Sequence, residues 1–244
     1  MLQTVIFEVG QKVITMMGGM RRSFNGSYAE YVLVRVTQGF RIESELTWGE
    51  LAAIPETYFT VWGSLFQGLR LELADTLLIR GGTSALGYAA LQLAKALGCQ
   101  MLATTHREEK RGLLAAADEV IIDAGSLVGK CPTVTKALEL VGPKTLRDTL
   151  RLVRQGGIVC HTGVLGGIYT LDGFDPIKEI PNGVYLASFF SNDPTQEIID
   201  ALMCFLREHD LQPHRGATFS FADIRDACIA QDEGRVNGKI VVEL

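Results

Sequence analysis

Residues 77–87 read LLIRGGTSALG. An apolar run of strand length enters Gly81-Gly82-Thr83-Ser84-Ala85-Leu86-Gly87 and leaves straight into a helix. Leu86, Ala90, Leu93, Ala94 and Leu97 recur at helical spacing, and Gly98 ends the helix. The spacing Gly82-x-Ser84-x-x-Gly87 is the dinucleotide fingerprint with serine at its middle glycine. The first glycine permits the tight turn, and Gly87 lets the helix lie close on the strand. Backbone N–H groups at the helix start then face a pyrophosphate, helped by the helix dipole. Gly82, Thr83, Ser84, Leu86 and Gly87 are thus the expected phosphate contacts, with the Ser84 hydroxyl as a further donor. A glycine turn alone also fits an ordinary strand-to-helix connection, so its setting has to decide.

That setting is a series of strands alternating with helices. Strands are expected at TLLIR (76–80), QMLATT (100–105), EVIID (119–123), KALELV (136–141), GIVCHT (157–162) and GVYLASFF (183–190). Helices are expected at 85–97, 107–117, 144–154 and 195–208. The pattern is that of an α/β fold, a doubly wound parallel six-stranded Rossmann sheet. Residues 1–55 read differently, as short strands and loops: VGQKVITM, a loop MGGMRRSFNG, then SYAEYVLV. The tail, FADIRDACIAQDEGRVNGKIVVEL, reads as a helix and a closing strand. It is expected to pack on the N-terminal part, so that both chain ends form a smaller, partly β lobe.

The tip of the second strand bears on the cofactor. NAD-dependent sheets place an acid about 20 residues beyond the glycines to bind the ribose 2′-hydroxyl. Here the tip reads Thr104-Thr105-His106-Arg107, with Lys110 one turn later and no acid at the tip. Thr105, Arg107 and Lys110 suit a 2′-phosphate, so NADPH is preferred. The competing reading is that Thr105-x-x-Glu108 is a capping box and that Arg107 and Lys110 coat an exposed helix. Glu108 and Glu109 belong to that plainer role.

Composition narrows the remaining classes. Hydrophobic residues make up 47% of the 244 and charged residues 21%, enough apolar material for a substantial core. A net charge of −5 gives no footprint for nucleic acid or an anionic membrane. There is no apolar run of transmembrane length and no secretory signal at the N-terminus. Five cysteines stand singly, which suits a cytoplasmic protein better than a disulfide framework. No Gly-x-Ser-x-Gly elbow and no Tyr-x-x-x-Lys pair occurs, arguing against a serine hydrolase and a short-chain reductase. No CxxC exists, and His106, His161, His209 and His214 are isolated, so no metal ligand set is expected. Tyr28, Tyr31, Tyr58 and Trp62 are read first as packing residues, and only second as the lining of a cleft.

FNGSYAEYVLV, LAAIPETYFTVWGSL and DTLLIRGGTSALGYAALQLAKALG together resemble the quinone oxidoreductase branch of the medium-chain dehydrogenases. LELVG (138–142), LRLVRQGGIVCHTGVLGG (150–167), IPNGVYLASFFS (180–191) and NGKIVVEL (237–244) follow in that family's order. The resemblance implies a cofactor domain over 56–195, set within a β-rich, GroES-like catalytic domain built from 1–55 and 196–244. It implies that Thr60 lies near the nicotinamide and that the loop Gly163-Val164-Leu165-Gly166 flanks the cofactor. Phe189, Phe190 and Ser191 would line the carboxamide, and Asn237, with Lys239, would supply a C-terminal contact. It also implies a homodimer through the last strand. Two departures stand out. Relatives carry a further segment before VGQKV, and Ala115-Ala116-Ala117-Asp118 replaces their usual Leu-Gly-Ala-Asp turn.

The implied activity is metal-free hydride transfer from NADPH to a quinone or other α,β-unsaturated carbonyl. The AAIPETYFT stretch, where zinc-using relatives place a ligand, has neither cysteine nor histidine. The residues do not single out a catalytic group; Thr60, a tyrosine or water would serve as donor to the acceptor oxygen. The alternative is a non-catalytic, NADPH-binding or oligomer-forming remnant that has lost part of its catalytic lobe. A scaffold that binds no nucleotide, with Ser84 blocking the turn, is the third.

Overall fold

A computed structural model describes residues 7–20 and 23–244. The first six residues, and Arg21 and Arg22 of the expected loop, lie outside the described residues. The chain divides into two units: Thr60–Phe190, and a second made of Met1–Phe59 with Ser191–Leu244.

In the unit formed by the two ends, β1 (Val13–Thr15) pairs antiparallel with β2 (Gly39–Arg41), setting Ile14 opposite Phe40, both buried. Helix α1 (Trp48–Ala53) starts in a capping box the sequence reading overlooked. Thr47 accepts from the Glu50 N–H, and the Glu50 carboxylate accepts from the Thr47 N–H at 2.7 Å. Helix α2 (Thr57–Trp62) follows and runs into a π-helical turn over Gly63–Gly68. The strand expected over SYAEYVLV does not form. Residues 27–33 are exposed, Tyr31 and Leu33 to about nine-tenths, and no described strand pairs with them. A strand needs a partner for its backbone groups and a face to bury, and this segment has neither.

The sheet lies in the other unit. Among the described residues its strands are β3 (Thr76–Arg80), β4 (Gln100–Thr105), β5 (Glu119–Ile122), β6 (Val134–Glu139), β7 (Val153–His161) and β8 (Tyr185–Ser188). All pairs are parallel, in the order β5-β4-β3-β6-β7-β8. The chain therefore works outward from β3 in one direction and then restarts beside it. The crevice at this switch, between β3 and β6, is where open α/β sheets take their ligands. Helix α3 (Ala85–Leu97) is capped by Ser84, a role the sequence reading did not assign, and ends at Gly98 with φ +88°, as read from the sequence.

Some boundaries move for identifiable reasons. β6 stops at Glu139 rather than Val141, because the Val141 and Gly142 N–H groups turn to the Glu139 carboxylate at 2.8 and 2.9 Å. Helix α4 (Pro143–Leu150) ends early, since the chain must enter β7 at Val153. The helix expected over 107–117 shortens to a 3-10 segment, Glu108–Leu114, with Gly112 in its interior. A short α5 (Pro176–Glu179) leads to β8. Back in the unit of the two ends, α6 (Gln196–Glu208), β9 (Arg215–Ser220), α7 (Ile224–Asp232) and β10 (Lys239–Glu243) follow. β9 pairs parallel with β10, and α1 packs on β10. The Gln196 amide clasps the Arg41 backbone at both N–H and C=O, each 2.9 Å.

Strand alternation sends Leu77 and Ile79 to one face of β3 and Leu78 and Arg80 to the other. Leu78 joins Leu102, Ala137, Leu146, Leu150 and Val159 in the core under α4. Arg80 enters that core with a charge and is fully buried. Its Nε and one terminal nitrogen fork onto Asp123 at 2.7 and 3.0 Å. The other terminal nitrogen donates to Asp148 at 2.8 Å, the Thr149 hydroxyl at 2.9 Å and the Thr145 carbonyl at 3.2 Å, and Gly125 O takes a last bond. Every guanidinium N–H thus has an acceptor, which a buried charge requires. Replacing Arg80 by Met leaves Asp123 and Asp148 uncompensated and is expected to cost about 3–5 kcal/mol in urea unfolding.

Burial alone would raise the Asp148 carboxyl, but the Ser126 hydroxyl, the Leu127 N–H and the Arg80 guanidinium together hold it below the usual range. A lowered carboxyl stabilises the fold above the ordinary carboxylate pKa of about 4, and that stability is lost as pH falls through its native value. Asp148→Asn should therefore flatten the acid limb of the stability–pH curve measured by thermal unfolding. An unchanged limb would remove Asp148 from the account.

Candidate functional site

The glycine turn sits at the carboxyl end of β3. Gly81 has φ +97°, and its N–H donates to the Thr104 hydroxyl at 3.1 Å. The Gly82 N–H donates to the Thr104 carbonyl at 2.9 Å, which ties the turn to the end of β4. A Cβ at Gly87 would overlap the Gly82 carbonyl and come within 2.7 Å of Gly81 O, so only glycine fits there. Ser84 has a role the sequence reading did not assign. Its hydroxyl donates to Gly81 O at 2.9 Å and accepts from the Gly87 N–H at 3.0 Å. Ser84 thus caps α3 and closes the turn, with its one hydrogen committed to Gly81 O. The N–H groups of Ala85 and Leu86, at the first turn of a thirteen-residue helix, remain for an anion.

At the end of β4, Thr104 and Thr105 are buried while His106 and Arg107 are exposed. The capping box read over Thr105-x-x-Glu108 is not formed. The Thr105 hydroxyl accepts from the Arg107 N–H at 3.3 Å, and Glu108 instead binds Arg111 at 2.7 Å. The shortened helix leaves position 107, not 105, as its N-cap. Thr105 therefore shapes the backbone that presents Arg107. The Arg107 Nε reaches the His106 ring nitrogen at 3.2 Å, and Lys110 follows in the 3-10 segment, half-exposed.

The loop after β7 flanks the same turn. Leu165 N–H and Gly166 N–H donate to the carbonyls of Leu140 and Val141 at 3.0 and 2.8 Å, and Gly163 N–H donates to Glu139 O. A Cβ on Gly81 would meet the Leu165 side chain at 3.1 Å. Glycine turn and loop are therefore neighbours at the switch point, with Val164 half-exposed and Leu165 mostly exposed.

Beneath them Glu139, fully buried opposite Arg80 in the β3–β6 ladder, accepts from Val141 N–H, Gly142 N–H, and the hydroxyls of Thr145 and Thr149. Burial pushes its carboxyl up against these donors and Arg80. Neither Arg80 nor Glu139 was singled out from the sequence. The available signal was an arginine closing an otherwise apolar buried strand.

The other expected residues are spread more widely. Thr60 is buried at the start of the sheet unit, and the Phe189 ring lies on Gly63, whereas Phe190 is largely exposed. Ser191 and Asn237 belong to the unit of the two ends, as does Lys239, whose amine stands 3.9 Å from Glu56. Tyr58 is core, its hydroxyl accepting from the His214 N–H at 2.8 Å, and Trp62 packs against Phe66. Tyr28 and Tyr31 are exposed. Among the described residues no three His, Cys, Asp or Glu side chains are grouped to hold a metal. No helix among them is long and apolar enough to cross a membrane.

A parallel sheet with a glycine turn at its switch point defines a dinucleotide-binding fold of the Rossmann class. The profile described as zinc-binding dehydrogenase matches residues 116–242, and the chain belongs to that family. Its sequence is similar to quinone oxidoreductase from Mus musculus, 29% identical over 179 residues, covering 67% of this chain and 54% of that protein. The chain thus spans about half the length of the curated relatives it matches. Its fold is similar to Bacillus subtilis yhfP, a structure with NAD bound (TM-score 0.83, 24% identity, 98% of this chain and 76% of that one). It is also similar to the quinone oxidoreductase from Thermus thermophilus, solved alone and with NADPH (TM-score 0.76, 23% identity, 98% and 78%). These likenesses agree with the quinone oxidoreductase-like resemblance and with a doubly wound sheet carrying a smaller lobe.

Gly87→Ala forces α3 away from the turn and is expected to destabilise the protein by about 1–3 kcal/mol in urea. Gly112→Ala, with open space around its Cβ, should be neutral or mildly stabilising. Equal effects at the two positions would contradict the close approach described for Gly87.

Proposed function

We propose that this chain carries the cofactor-binding part of an NADPH-dependent oxidoreductase that passes hydride, without a metal, to a quinone or another α,β-unsaturated carbonyl. The observation that carries the reading is the pairing of the glycine turn with a β4 tip that has a cation, Arg107, and no acid. The quinone oxidoreductase relatives and the NADPH-bound Thermus structure support it; the NAD bound to yhfP makes the nucleotide preference worth testing directly.

In this reading the Ala85 and Leu86 N–H groups, with the backbone at Gly82 and Thr83, receive the pyrophosphate. Arg107 and Lys110 receive the 2′-phosphate, and Thr105 holds the Arg107 backbone in place. Gly163, Val164 and Leu165 wall the crevice. Thr60 stands by the nicotinamide, and Phe189 and Phe190 complete the cofactor contacts of the sheet unit. Bound NADPH supplies the hydride. The protein's part is orientation and exclusion of water. The smaller lobe, 1–55 and 196–244, would serve the substrate and 56–195 the cofactor, in a cytoplasmic protein.

Calorimetric titration tests the nucleotide site. NADPH should bind well and NADH poorly, and Arg107→Ala should weaken NADPH about ten- to a hundredfold while leaving NADH unchanged. Equal binding of NADH and NADPH by the unaltered protein would defeat the 2′-phosphate assignment.

A homodimer through β8 completes the proposal. That strand is the sheet edge, where Tyr185 is mostly exposed, and Phe190, two residues beyond it, is exposed as well. Apolar edges of this kind invite pairing. Sedimentation should give a dimer that Leu186→Lys converts to monomer; a native monomer would remove this part.

A further inference from the structure

The π-helical turn Gly63–Gly68 ties the end of α2 to the neighbouring ends of β7 and β8. Ser64, fully buried, donates its hydroxyl hydrogen to the Thr60 carbonyl at 2.7 Å. That hydrogen is then spent, so the 2.8 Å contact between the Ser64 and Thr162 hydroxyls runs from Thr162 to Ser64. Thr162 in turn stands 3.5 Å from the buried Cys160 thiol, which is left to act as donor. The result is a directed chain, Cys160 to Thr162 to Ser64 to the Thr60 carbonyl, from the end of β7 to the start of α2's last turn. At the near end of the turn the Phe189 ring lies where a Gly63 side chain would be. At its far end Cys160 Sγ approaches within 2.7 Å of where a Gly68 Cβ would stand.

The widened ladder is explicit in the backbone. Leu69 N–H bonds Ser64 O at 2.8 Å, and Leu71 N–H bonds Leu65 O at 2.9 Å. Turns of this kind cost regular helix bonds and recur where a helix must aim particular groups. Here the turn holds Thr60, the segment leading to Gly163, and Phe189 in one register.

Resting on the nucleotide-site reading above, we infer that Ser64 is a positioning residue for the nicotinamide half of the cofactor, acting through the Thr60 backbone and the Thr162 hydroxyl. The adenosine and phosphate half is held at the far side of the switch point and does not depend on it. Ser64 therefore governs the extra affinity that the nicotinamide contributes, not binding as a whole.

The test compares NADPH with 2′-phospho-ADP-ribose, which lacks the nicotinamide, by calorimetry on the unaltered protein and on Ser64→Ala, Thr162→Val and Thr162→Ser. The unaltered protein should bind NADPH more tightly than the fragment. Ser64→Ala should hold fragment affinity within about twofold and lose about tenfold of the NADPH affinity, as removal of a buried hydrogen bond implies. Thr162→Val should lose less, because Ser64 keeps its bond to Thr60, and Thr162→Ser should behave as the unaltered protein. If Ser64→Ala fails to fold, Thr162→Val against Thr162→Ser decides. A lowered melting temperature with an unchanged NADPH-to-fragment ratio would reduce Ser64 to a packing role and overturn the inference. So would an unaltered protein that binds the two ligands equally. An unaltered protein that binds neither would fell the nucleotide-site reading itself, and this inference with it.

Discussion

The Arg80 guanidinium is the interaction on which the rest of the sheet unit depends. It closes β3 one residue before the glycine turn, and its bonds fix three separate pieces of chain: Asp123 and Gly125 after β5, Asp148 and Thr149 on α4, and through Thr149 the Glu139 carboxylate on β6. Glu139 then holds the first two N–H groups beyond β6. Three loops at the carboxyl edge of the sheet are thereby set from one buried ion network. Such a network is a weak source of net stability, because desolvation consumes most of what the charges gain. Its value here is geometric: it places the glycine turn, the Gly142 bend and the loop at 163–166 in fixed relation around the crevice.

The electrostatic character of that crevice follows from the same arrangement. The carboxylates of Asp123, Asp148 and Glu139 are all turned inward onto Arg80, threonine hydroxyls or backbone N–H groups. Exposed at the β4 tip are Arg107 and, in part, Lys110, together with Glu108, which is paired to Arg111, and Glu109. In the proposed site an anion would meet the α3 N-terminus and these cations, while Asp123, Asp148 and Glu139 stay occupied beneath.

Much of this was legible in the sequence, and the failures are informative. The β3–α3 unit was readable because its signals are local: an apolar run, a glycine spacing and a Gly98 stop. The parallel six-stranded sheet followed from the alternation of apolar runs and helices, whereas the order β5-β4-β3-β6-β7-β8 shows only in the pairing of the folded chain. The cap role of Ser84 went unread because a hydroxyl beside a glycine turn has two uses, and only the positions of Gly81 O and Gly87 N show the one it takes here. The capping box at Thr105 failed for a similar reason, since the Gly112 interior shortens the helix and moves its start. SYAEYVLV alternates like a strand, yet alternation does not supply the neighbouring strand it would need. Arg80 and the π turn were invisible as functional elements, because their meaning lies in contacts between residues 40 to 130 positions apart.

The central claim is that the helix start at Ala85–Leu86 and the β4 tip at Arg107–Lys110 form one nucleotide site that reads the 2′-phosphate. Backbone amide chemical shifts, followed by NMR as NADPH and then NADH are added, test it most directly. The account predicts that NADPH perturbs Gly82–Leu86 and Arg107–Lys110 together, and that NADH reproduces the first cluster at higher concentration without the second. Perturbations absent from the glycine turn, or the same at Arg107 for both nucleotides, would contradict it.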